Sequence, residues 1–314
     1  MTLPAEFPSP PFSSFDLGPL HIQMYAICIL VGIVLAVLIT NARLTRRGGE
    51  PWVTIDFALW AVPLGIIVAR LWHVITHLDD YFGEGKNTWN PLEHGAVWNV
   101  WDGGIAIFGA LVGGALGIYI ASRISGIRFL SFADALVPGL LVAQAFGRLG
   151  NWFNQELFGV PTDVPWGLLI ASDNPAYPVG LPEGTLFHPM FIYELLWNLL
   201  GVAVILGLEH WKKLRWGKVL ALYLIWYGLG RFVFEAFRLD PSEVILGLRS
   251  NAWAALAAFI LGVVLYIVQS RRHPGVEESV YKPGRSRPGQ PTEVDSTDGE
   301  LFVDHGEGAA IARS

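Results

Sequence analysis

Charged residues are scarce in this sequence of 314 residues. Asp, Glu, Lys and Arg make up 15% of the chain, whereas hydrophobic residues make up 53%. A soluble domain carries roughly 25% charged residues, so this composition cannot cover an ordinary water-facing surface. The mean hydropathy of +0.44 agrees. An aromatic content of 13% also excludes a largely disordered chain, which would be poor in such residues.

Cysteine and excess positive charge are missing as well. Cys28 is the single cysteine, which excludes an internal disulfide and a metal site built from several cysteines. No set of His, Cys and carboxylate residues has the spacing of metal ligands, so we expect neither a metal nor another cofactor. The formal net charge of −6 argues against nucleic acid as a partner.

Long apolar segments dominate instead. A membrane-spanning helix needs about 20 mostly apolar residues, and seven segments qualify as candidates. They are residues 22–41, 55–75, 104–121, 132–150, 189–208, 219–237 and 252–268. The sequence therefore predicts an all-α integral membrane protein with seven transmembrane helices. In the third segment, Gly109, Gly113 and Gly117 are spaced four apart, which favours close helix packing over ligand binding.

Basic residues are absent from some connections and concentrated in others. Residues 1–20 and 152–187 contain no Lys or Arg, whereas every second connection is basic. The basic connections contain Arg43, Arg46, Arg47, Arg123, Arg128, Lys212, Lys213, Arg215, Lys218, Arg271 and Arg272. Because basic loops stay in the cytoplasm, we expect the N-terminus outside and the C-terminus inside. An N-terminus without Lys or Arg also argues against a signal peptide.

The same pattern divides the chain into regions. We expect residues 1–20 to form an outer N-terminal segment and residues 21–270 a transmembrane catalytic domain. Residues 152–187 are rich in Pro, Gly and Trp and too long for a simple helix connection, so they predict an irregular outer lobe. Residues 271–314 are polar and acidic, which is typical of a disordered tail, here cytoplasmic.

Polar residues at the outer ends of two segments are the sharpest functional candidates. An ionisable side chain at the centre of a span costs at least ~2.5–3.5 kcal/mol on insertion scales. Residues 147–159 hold Arg148, Asn151, Asn154 and Glu156 between glycines, and a guanidinium matches the geometry of a phosphate. An Arg148–Glu156 ion pair that anchors the loop is the structural alternative.

The sixth segment ends with a second such group. Arg231, Glu235 and Arg238 share one helix face, which should point into the bundle unless they form only a structural salt bridge. His188, at the start of the fifth segment, is open to a structural or a functional interpretation. Together these residues predict an outward-facing polar cavity with two or more arginines, which suits an anionic lipid headgroup.

Three motifs resemble those of the prolipoprotein diacylglyceryl transferase family. The run 147–159 resembles its signature G-R-x-G-N-x-x-N-x-E-x-x-G, which Gly147, Arg148, Gly150, Asn151, Asn154, Glu156 and Gly159 match. The family's H-P-x-x-x-Y-E pattern resembles His188, Pro189, Tyr193 and Glu194. Its G-x-x-R-F-x-x-E-x-x-R pattern resembles Gly228, Arg231, Phe232, Glu235 and Arg238. Tyr25 and Arg70 stand where the family has a first-helix tyrosine and a second-helix arginine.

The resemblance covers about residues 18–270 and implies an activity. A multi-pass protein of the bacterial cell (inner) membrane would move the diacylglyceryl group of phosphatidylglycerol onto the lipobox cysteine of prolipoprotein signal peptides. This is the first step of lipoprotein maturation, and it forms a thioether and releases glycerol phosphate. Partners would be these substrates and membrane lipids.

The resemblance also implies roles for individual residues. Arg148, Asn151 and Asn154 would bind the headgroup, with Gly159, His188 and Arg70 as further substrate-binding candidates. Arg231, Glu235, Tyr25 and Glu156 would be catalytic: Arg231 would stabilise the leaving group or activate the thiolate, Glu235 and Glu156 would orient the arginines, and Tyr25 would contact the headgroup.

One departure from the family leaves the general base open. Phe108 stands where members commonly have a His or Tyr, and a phenyl ring carries no proton. Glu235, Tyr25 and His188 remain candidates, as does thiolate formation in the field of the arginines. Two other functions are alternatives. An anionic-lipid or small-anion transporter would use the same cavity, whereas a non-catalytic membrane scaffold would need none. A transporter would favour internal repeats, and none is visible.

Overall fold

Long helices make up most of the described chain. The computed structural model describes residues 6–18, 20–83, 85–86, 88–90, 93–100, 103–239 and 244–289. The helices are α1 (Met24–Arg46), α2 (Val53–Thr76), the four-residue α3 (Leu78–Tyr81), α4 (Ile107–Ser125), α5 (Phe129–Phe153), α6 (Met190–Lys212), α7 (Lys218–Glu235) and α8 (Ser250–Arg272).

Six helices are long and apolar enough to cross a membrane: α1, α2, α4, α5, α6 and α8. The protein is therefore helical and multi-pass. The remaining long helix, α7, carries Lys218, Arg231 and Glu235 within its 18 residues, and these charges set it apart from the other six. The sixth predicted segment, residues 219–237, thus forms a helix, although it is not among the six that are apolar enough to cross a membrane.

The glycines of α4 bring two helices into backbone contact. A Cβ atom added to Gly109 would lie 2.6 Å from the Cα of Ala69, and one added to Gly117 would lie 2.5 Å from the carbonyl oxygen of Trp60. Both partners belong to α2. The packing interpretation of these glycines is therefore the one the structure supports, because only hydrogen fits between the two helices.

Helix α5 is the centre of the bundle and packs against α1, α6 and α7. At its N-terminal end, the Asp134 carboxylate accepts hydrogen bonds from the backbone N–H groups of Gly217 (2.8 Å) and Leu220 (2.9 Å) and so caps α7. Nearby, the Glu209 carboxylate pairs with three guanidinium groups at 2.6–2.8 Å. These groups belong to Arg43, Arg47 and Arg215. We call this side of the bundle the basic end.

Short strands gather at the opposite end. Strand β1 (Glu6–Pro8) pairs in parallel with β4 (Gly167–Leu169), which pairs antiparallel with β5 (Leu186–Phe187). Hairpins precede two helices: β2 (Ser14–Leu17) and β3 (Leu20–Gln23) before α1, and β6 (Val244–Ile245) and β7 (Leu248–Arg249) before α8. We call this side, where residues 154–188 pack around a buried aromatic cluster, the lobe end.

The chain beyond α8 differs from the sequence-based expectation. Residues 273–289 do not form a disordered extension but pack across the basic end, and we call them the strap. Val280 and Tyr281 are 2% and 4% exposed and join a core cluster with residues of α1, α2, α4 and α5. The rest of the expected tail, residues 290–314, lies outside the described residues.

Candidate active site

A cavity of about 490 Å³ opens at the lobe end between α4, α5, α6, α7 and α8. Its polar lining comes from the C-terminal halves of α5 and α7 and the segment after α7, from the N-terminal half of α6 and the first turn of α8, and from Tyr25 at the start of α1. The polar side chains are Tyr25, Gln144, Arg148, Asn151, Glu194, Asn198, Tyr227, Arg231, Arg238 and Asn251. The signature run and the sixth-segment motif therefore meet in one place.

Arg148 is held by one residue of its own helix and one residue of α6. One of its guanidinium nitrogens lies 2.7 Å from the Glu194 carboxylate on α6, and the other donates to the Asn151 side-chain oxygen at 3.1 Å. The Asn151 amide in turn donates to Glu156 at 2.8 Å. The structural alternative of a direct Arg148–Glu156 ion pair is therefore not formed, since Glu156 reaches the arginine only through Asn151.

A second network fixes Arg231. Its guanidinium lies 3.0 Å from the Glu235 carboxylate one turn later on α7, and Glu235 is 3% exposed as a side chain. The other oxygen of Glu235 lies 3.0 Å from the Arg249 guanidinium and accepts from the Asn251 amide at 3.2 Å. The carboxylate thus ties α7 to the start of α8 and orients Arg231 in the cavity.

Positive charge exceeds negative charge at the cavity surface. Arg148, Arg231 and Arg238 line it, whereas Glu194 is the only carboxylate among its described lining residues. Glu194 serves both Arg148 and Arg238, the second at 3.5 Å. The Arg148 and Arg231 side chains keep 24% and 16% of their surface exposed. An anion that enters the cavity would therefore meet partly accessible guanidinium groups.

One wall of the cavity is apolar. Ile107, Phe108 and Leu111 of α4 face Ala254 and other alanines of α8 across it, and Phe108 is 48% exposed. Tyr25 completes the floor, with its ring packed against Gly150, where a Cβ atom would lie 2.5 Å from the ring. A polar pocket with an apolar side suits a molecule that has a charged headgroup and hydrocarbon chains.

Several predicted site residues lie away from this cavity. Arg70 is 2% exposed and donates hydrogen bonds at 2.7–3.1 Å to four backbone carbonyl oxygens in the connection between α3 and α4. These bonds hold a loop, and Arg70 is not among the residues that line the cavity. Asn154 lies behind the cavity, 3.4 Å from Glu156.

Gly159 and His188 lie at the lobe end and are joined by a backbone hydrogen bond near Arg238. The Gly159 N–H donates to the His188 carbonyl oxygen at 2.9 Å, and Gly159 forms a β-bridge with Arg238. The His188 ring nitrogen lies 3.2 Å from the Tyr193 hydroxyl. Both residues therefore position the segment that carries Arg238 rather than line the cavity, which favours the structural interpretation of His188.

Sequence reasoning missed some lining residues. Gln144 and Asn198 each lie four residues from a recognised site residue, Arg148 and Glu194, and so on the same helix face. That spacing was available as a signal. The Gln144 amide donates to the Tyr223 hydroxyl at 2.7 Å, and its buried oxygen has no hydrogen-bond partner among the described residues. Asn251, another lining residue, and Arg249, which pairs with Glu235 behind the lining, lie at and just after a short hairpin that composition alone does not reveal.

In the described ranges, no group of three or more His, Cys, Asp or Glu residues is arranged to hold a metal ion. The polar groups that line this cavity are guanidinium, amide, phenol and carboxylate groups.

Comparison with known proteins gives a consistent result. The family model described as prolipoprotein diacylglyceryl transferase matches residues 13–268. A phosphatidylglycerol–prolipoprotein diacylglyceryl transferase of Leifsonia xyli subsp. xyli is 58% identical over 292 residues, which are 92% of this chain and 87% of that protein. One from Bifidobacterium longum (strain DJO10A) is 47% identical, over 84% of this chain and 85% of that protein. Transferase 2 of Streptomyces coelicolor is 42% identical, over 91% and 88%.

Proposed function

Since the chain belongs to the prolipoprotein diacylglyceryl transferase family, we propose that the cavity at the lobe end is its active site. The protein is a transferase that moves the diacylglyceryl group from phosphatidylglycerol to a prolipoprotein. The observation that supports this site is that Arg148, Arg231 and Arg238, from two different helices and the segment after α7, line one cavity with an apolar wall.

The reaction is a displacement at carbon. The sulfur of the lipobox cysteine attacks the carbon of the diacylated glycerol that is bonded to the phosphate ester oxygen. A carbon–sulfur bond forms, the carbon–oxygen bond breaks, and its electron pair leaves on the oxygen of glycerol phosphate. The thiol proton passes to a base. Catalysis therefore requires a thiolate and a stabilised phosphate leaving group.

The two networks divide this work. Arg148, oriented by Glu194 and Asn151, binds the phosphate of the headgroup. Arg231, held by Glu235, faces the ester oxygen and stabilises the charge that develops there, which is usually the largest catalytic effect. Tyr25 contacts the headgroup from the floor of the cavity. Glu156 acts through Asn151 and is a positioning residue.

The arginines also favour the thiolate. A free cysteine has a pKa near ~8.5, and cationic neighbours shift it towards ionisation. Three guanidinium groups line the cavity, so a thiol that enters it meets a positive field. Tyr25 lines the cavity, whereas His188 and Glu235 do not, so Tyr25 is better placed than either of them to receive the proton.

The packing of α7 and the distribution of charge support one membrane arrangement. We infer that α7 is a seventh span, because it packs along α8 and its Arg231 and Glu235 are satisfied inside the bundle. The lobe end then faces outwards and the basic end faces the cytoplasm of the bacterial cell, in accord with the distribution of Lys and Arg.

A reconstituted assay tests the active site. The purified full chain is placed in nanodiscs that contain phosphatidylglycerol and is incubated with a peptide that carries a lipobox cysteine. Mass spectrometry should detect the peptide with a thioether-linked diacylglyceryl group. We expect Arg148→Ala to lower the initial rate of adduct formation at least ~100-fold, the size of effect expected when one preorganised donor is lost.

Arg46→Ala is the matched control, because Arg46 is exposed at the basic end and should leave the rate unchanged. An undiminished rate in Arg148→Ala would contradict the assigned role. The assay also separates the transport alternative, since transport of an anionic lipid produces no adduct.

A further inference from the structure

A second cavity, of about 310 Å³, lies at the basic end. It is formed by the last turns of α4 and α8, the first turn of α5 and the strap. Its lining includes the cations Arg123, Arg128 and Lys282 and the rings of Tyr119 and Trp216. The candidate active site involves the other ends of the same three helices. Along α4, the nearest lining residues of the two cavities are Leu111 and Tyr119, which are about 12 Å apart at 1.5 Å per residue.

The cations of this cavity are held by the fold rather than neutralised. Arg128 donates to the Ser279 carbonyl oxygen at 2.6 Å and lies 4.5 Å from the centre of the Trp216 ring. Lys282 donates to the Ser122 carbonyl oxygen at 2.9 Å. Glu277 approaches only Arg128, at 3.4 Å. A carbonyl oxygen orients a cation but leaves its charge in place, so the cavity retains net positive charge.

The electrostatics of Lys282 agree with this charge excess. Burial lowers the pKa of Lys282, and the neighbouring guanidinium groups of Arg123 and Arg285 lower it further. A bound anion would offset the lowering of this pKa by the two guanidinium groups. The attraction would be reinforced by α5, because it begins at Phe129 without a side-chain hydrogen bond at its N-cap and its first residues, 129–131, line the cavity.

A buried amide points to a hydroxyl-bearing ligand. Gln269 on α8 lines the cavity and is 9% exposed. Its side-chain oxygen is buried and has no hydrogen-bond partner in the described part of the chain. A buried acceptor without a partner costs ~1–3 kcal/mol, and a hydroxyl group of a ligand would donate to it.

We propose that this cavity binds the headgroup of an anionic glycerophospholipid from the leaflet at the basic end. Arg123, Arg128 and Lys282 take the phosphate, and a headgroup hydroxyl donates to Gln269. A lipid is favoured as the source of the phosphate because the cavity lies where three apolar helices end, and basic pockets between helices on the cytoplasmic side recognise acidic headgroups. Binding would hold the strap, which contributes Lys282, against the bundle.

Hydrogen–deuterium exchange with mass spectrometry tests the proposal site by site. The full chain is compared in phosphatidylcholine nanodiscs with and without phosphatidylglycerol. In the wild type, peptides covering residues 122–131 and 276–285 should exchange several-fold more slowly when phosphatidylglycerol is present. The double variant Arg123→Gln/Lys282→Gln should lose this slowing and keep diacylglyceryl transfer, so the result is independent of the active-site proposal.

The matched control removes the same charge nearby. Arg271 and Arg272 are exposed at the end of α8 and do not line the cavity, so Arg271→Gln/Arg272→Gln should retain the lipid-dependent slowing. If both double variants lose the lipid-dependent slowing equally, the slowing depends only on overall positive charge and the proposal is overturned. Equal exchange of the wild type in both kinds of disc would also overturn it.

Two further arms complete the test. Inorganic phosphate added to phosphatidylcholine discs should not reproduce the slowing, and full slowing by phosphate alone would overturn the lipid assignment. If the double variant already exchanges fast without phosphatidylglycerol, its strap has detached, and Gln269→Leu decides instead. This variant leaves every cation in place, and we expect it to weaken the slowing; an unchanged response would overturn the role of the amide.

Discussion

At the scale of single residues, the partners of the arginines separate what sequence spacing can predict from what it cannot. Arg231 and Glu235 pair within one helix turn, as the interval of four residues predicts. Arg148 pairs instead with Glu194, which is 46 positions later and on another helix. No local pattern encodes that contact, so the nearby Glu156 was the natural but wrong partner to consider.

The Glu235 carboxylate provides the residue-scale prediction. It is buried and compensates both Arg231 and Arg249, and removal of one partner from a buried ion pair typically costs ~3–5 kcal/mol. We expect Glu235→Gln to lower kcat for diacylglyceryl transfer ~100-fold or more, with a smaller change in KM for phosphatidylglycerol. The reason is that a misplaced Arg231 fails at the leaving group, where charge develops late. Steady-state kinetics in nanodiscs measure both constants.

The control for this variant is Glu183→Gln. Glu183 is an exposed carboxylate in the lobe, so its substitution should leave both kcat and KM unchanged. A rise in KM with kcat preserved would contradict this role and would show that Glu235 supports binding of the headgroup instead. The thermal midpoint of each variant separates a loss of fold from a loss of orientation.

At the scale of elements, hydropathy locates the helices but not their ends. All seven apolar segments form helices, and several extend beyond the apolar run. The first was expected to end at residue 41, yet α1 continues to Arg46, because Arg43 and Arg47 find a carboxylate on α6. The second-helix arginine, Arg70, is a similar case: its carbonyl partners lie in the connection before α4, which hydropathy does not resolve.

The contact between α2 and α4 yields a prediction with an internal control. A Cβ at Gly113 would clash with the Leu64 carbonyl oxygen, whereas the nearest atom to a Cβ at Gly114 is 4.0 Å away. Gly→Ala alone favours a helix by up to ~1 kcal/mol, so Gly114→Ala should be neutral or stabilising. Gly113→Ala should destabilise by ~1–3 kcal/mol through overpacking. Thermal midpoints in detergent give the sign, and equal midpoints would contradict this packing.

At the scale of the whole molecule, the strap is the feature that composition hid. Its Pro, Gly and charged residues are typical of a disordered tail, and only Val280 and Tyr281 enter the core. Two apolar side chains suffice because the rest of the strap pairs its backbone with existing structure: Arg128 N–H donates to Val280, and Lys282 N–H donates to Gly126. Such contacts depend on the bundle and cannot be inferred from the segment itself.

The number and direction of spans are the last expectation to test. Engineered cysteines at three exposed positions decide it, because the native Cys28 is 7% exposed within α1. In intact cells, a membrane-impermeant maleimide should label Glu183→Cys in the lobe. It should label Lys212→Cys at the end of α6 and Glu278→Cys in the strap only after permeabilisation. Lys212 and Glu278 are separated by α7 and α8, and α8 is long and apolar enough to cross, so the two positions share a side only if α7 crosses as well. Labelling of Glu278→Cys but not Lys212→Cys in intact cells would mean that α7 does not span, and the charged face of Arg231 and Glu235 would then need another explanation.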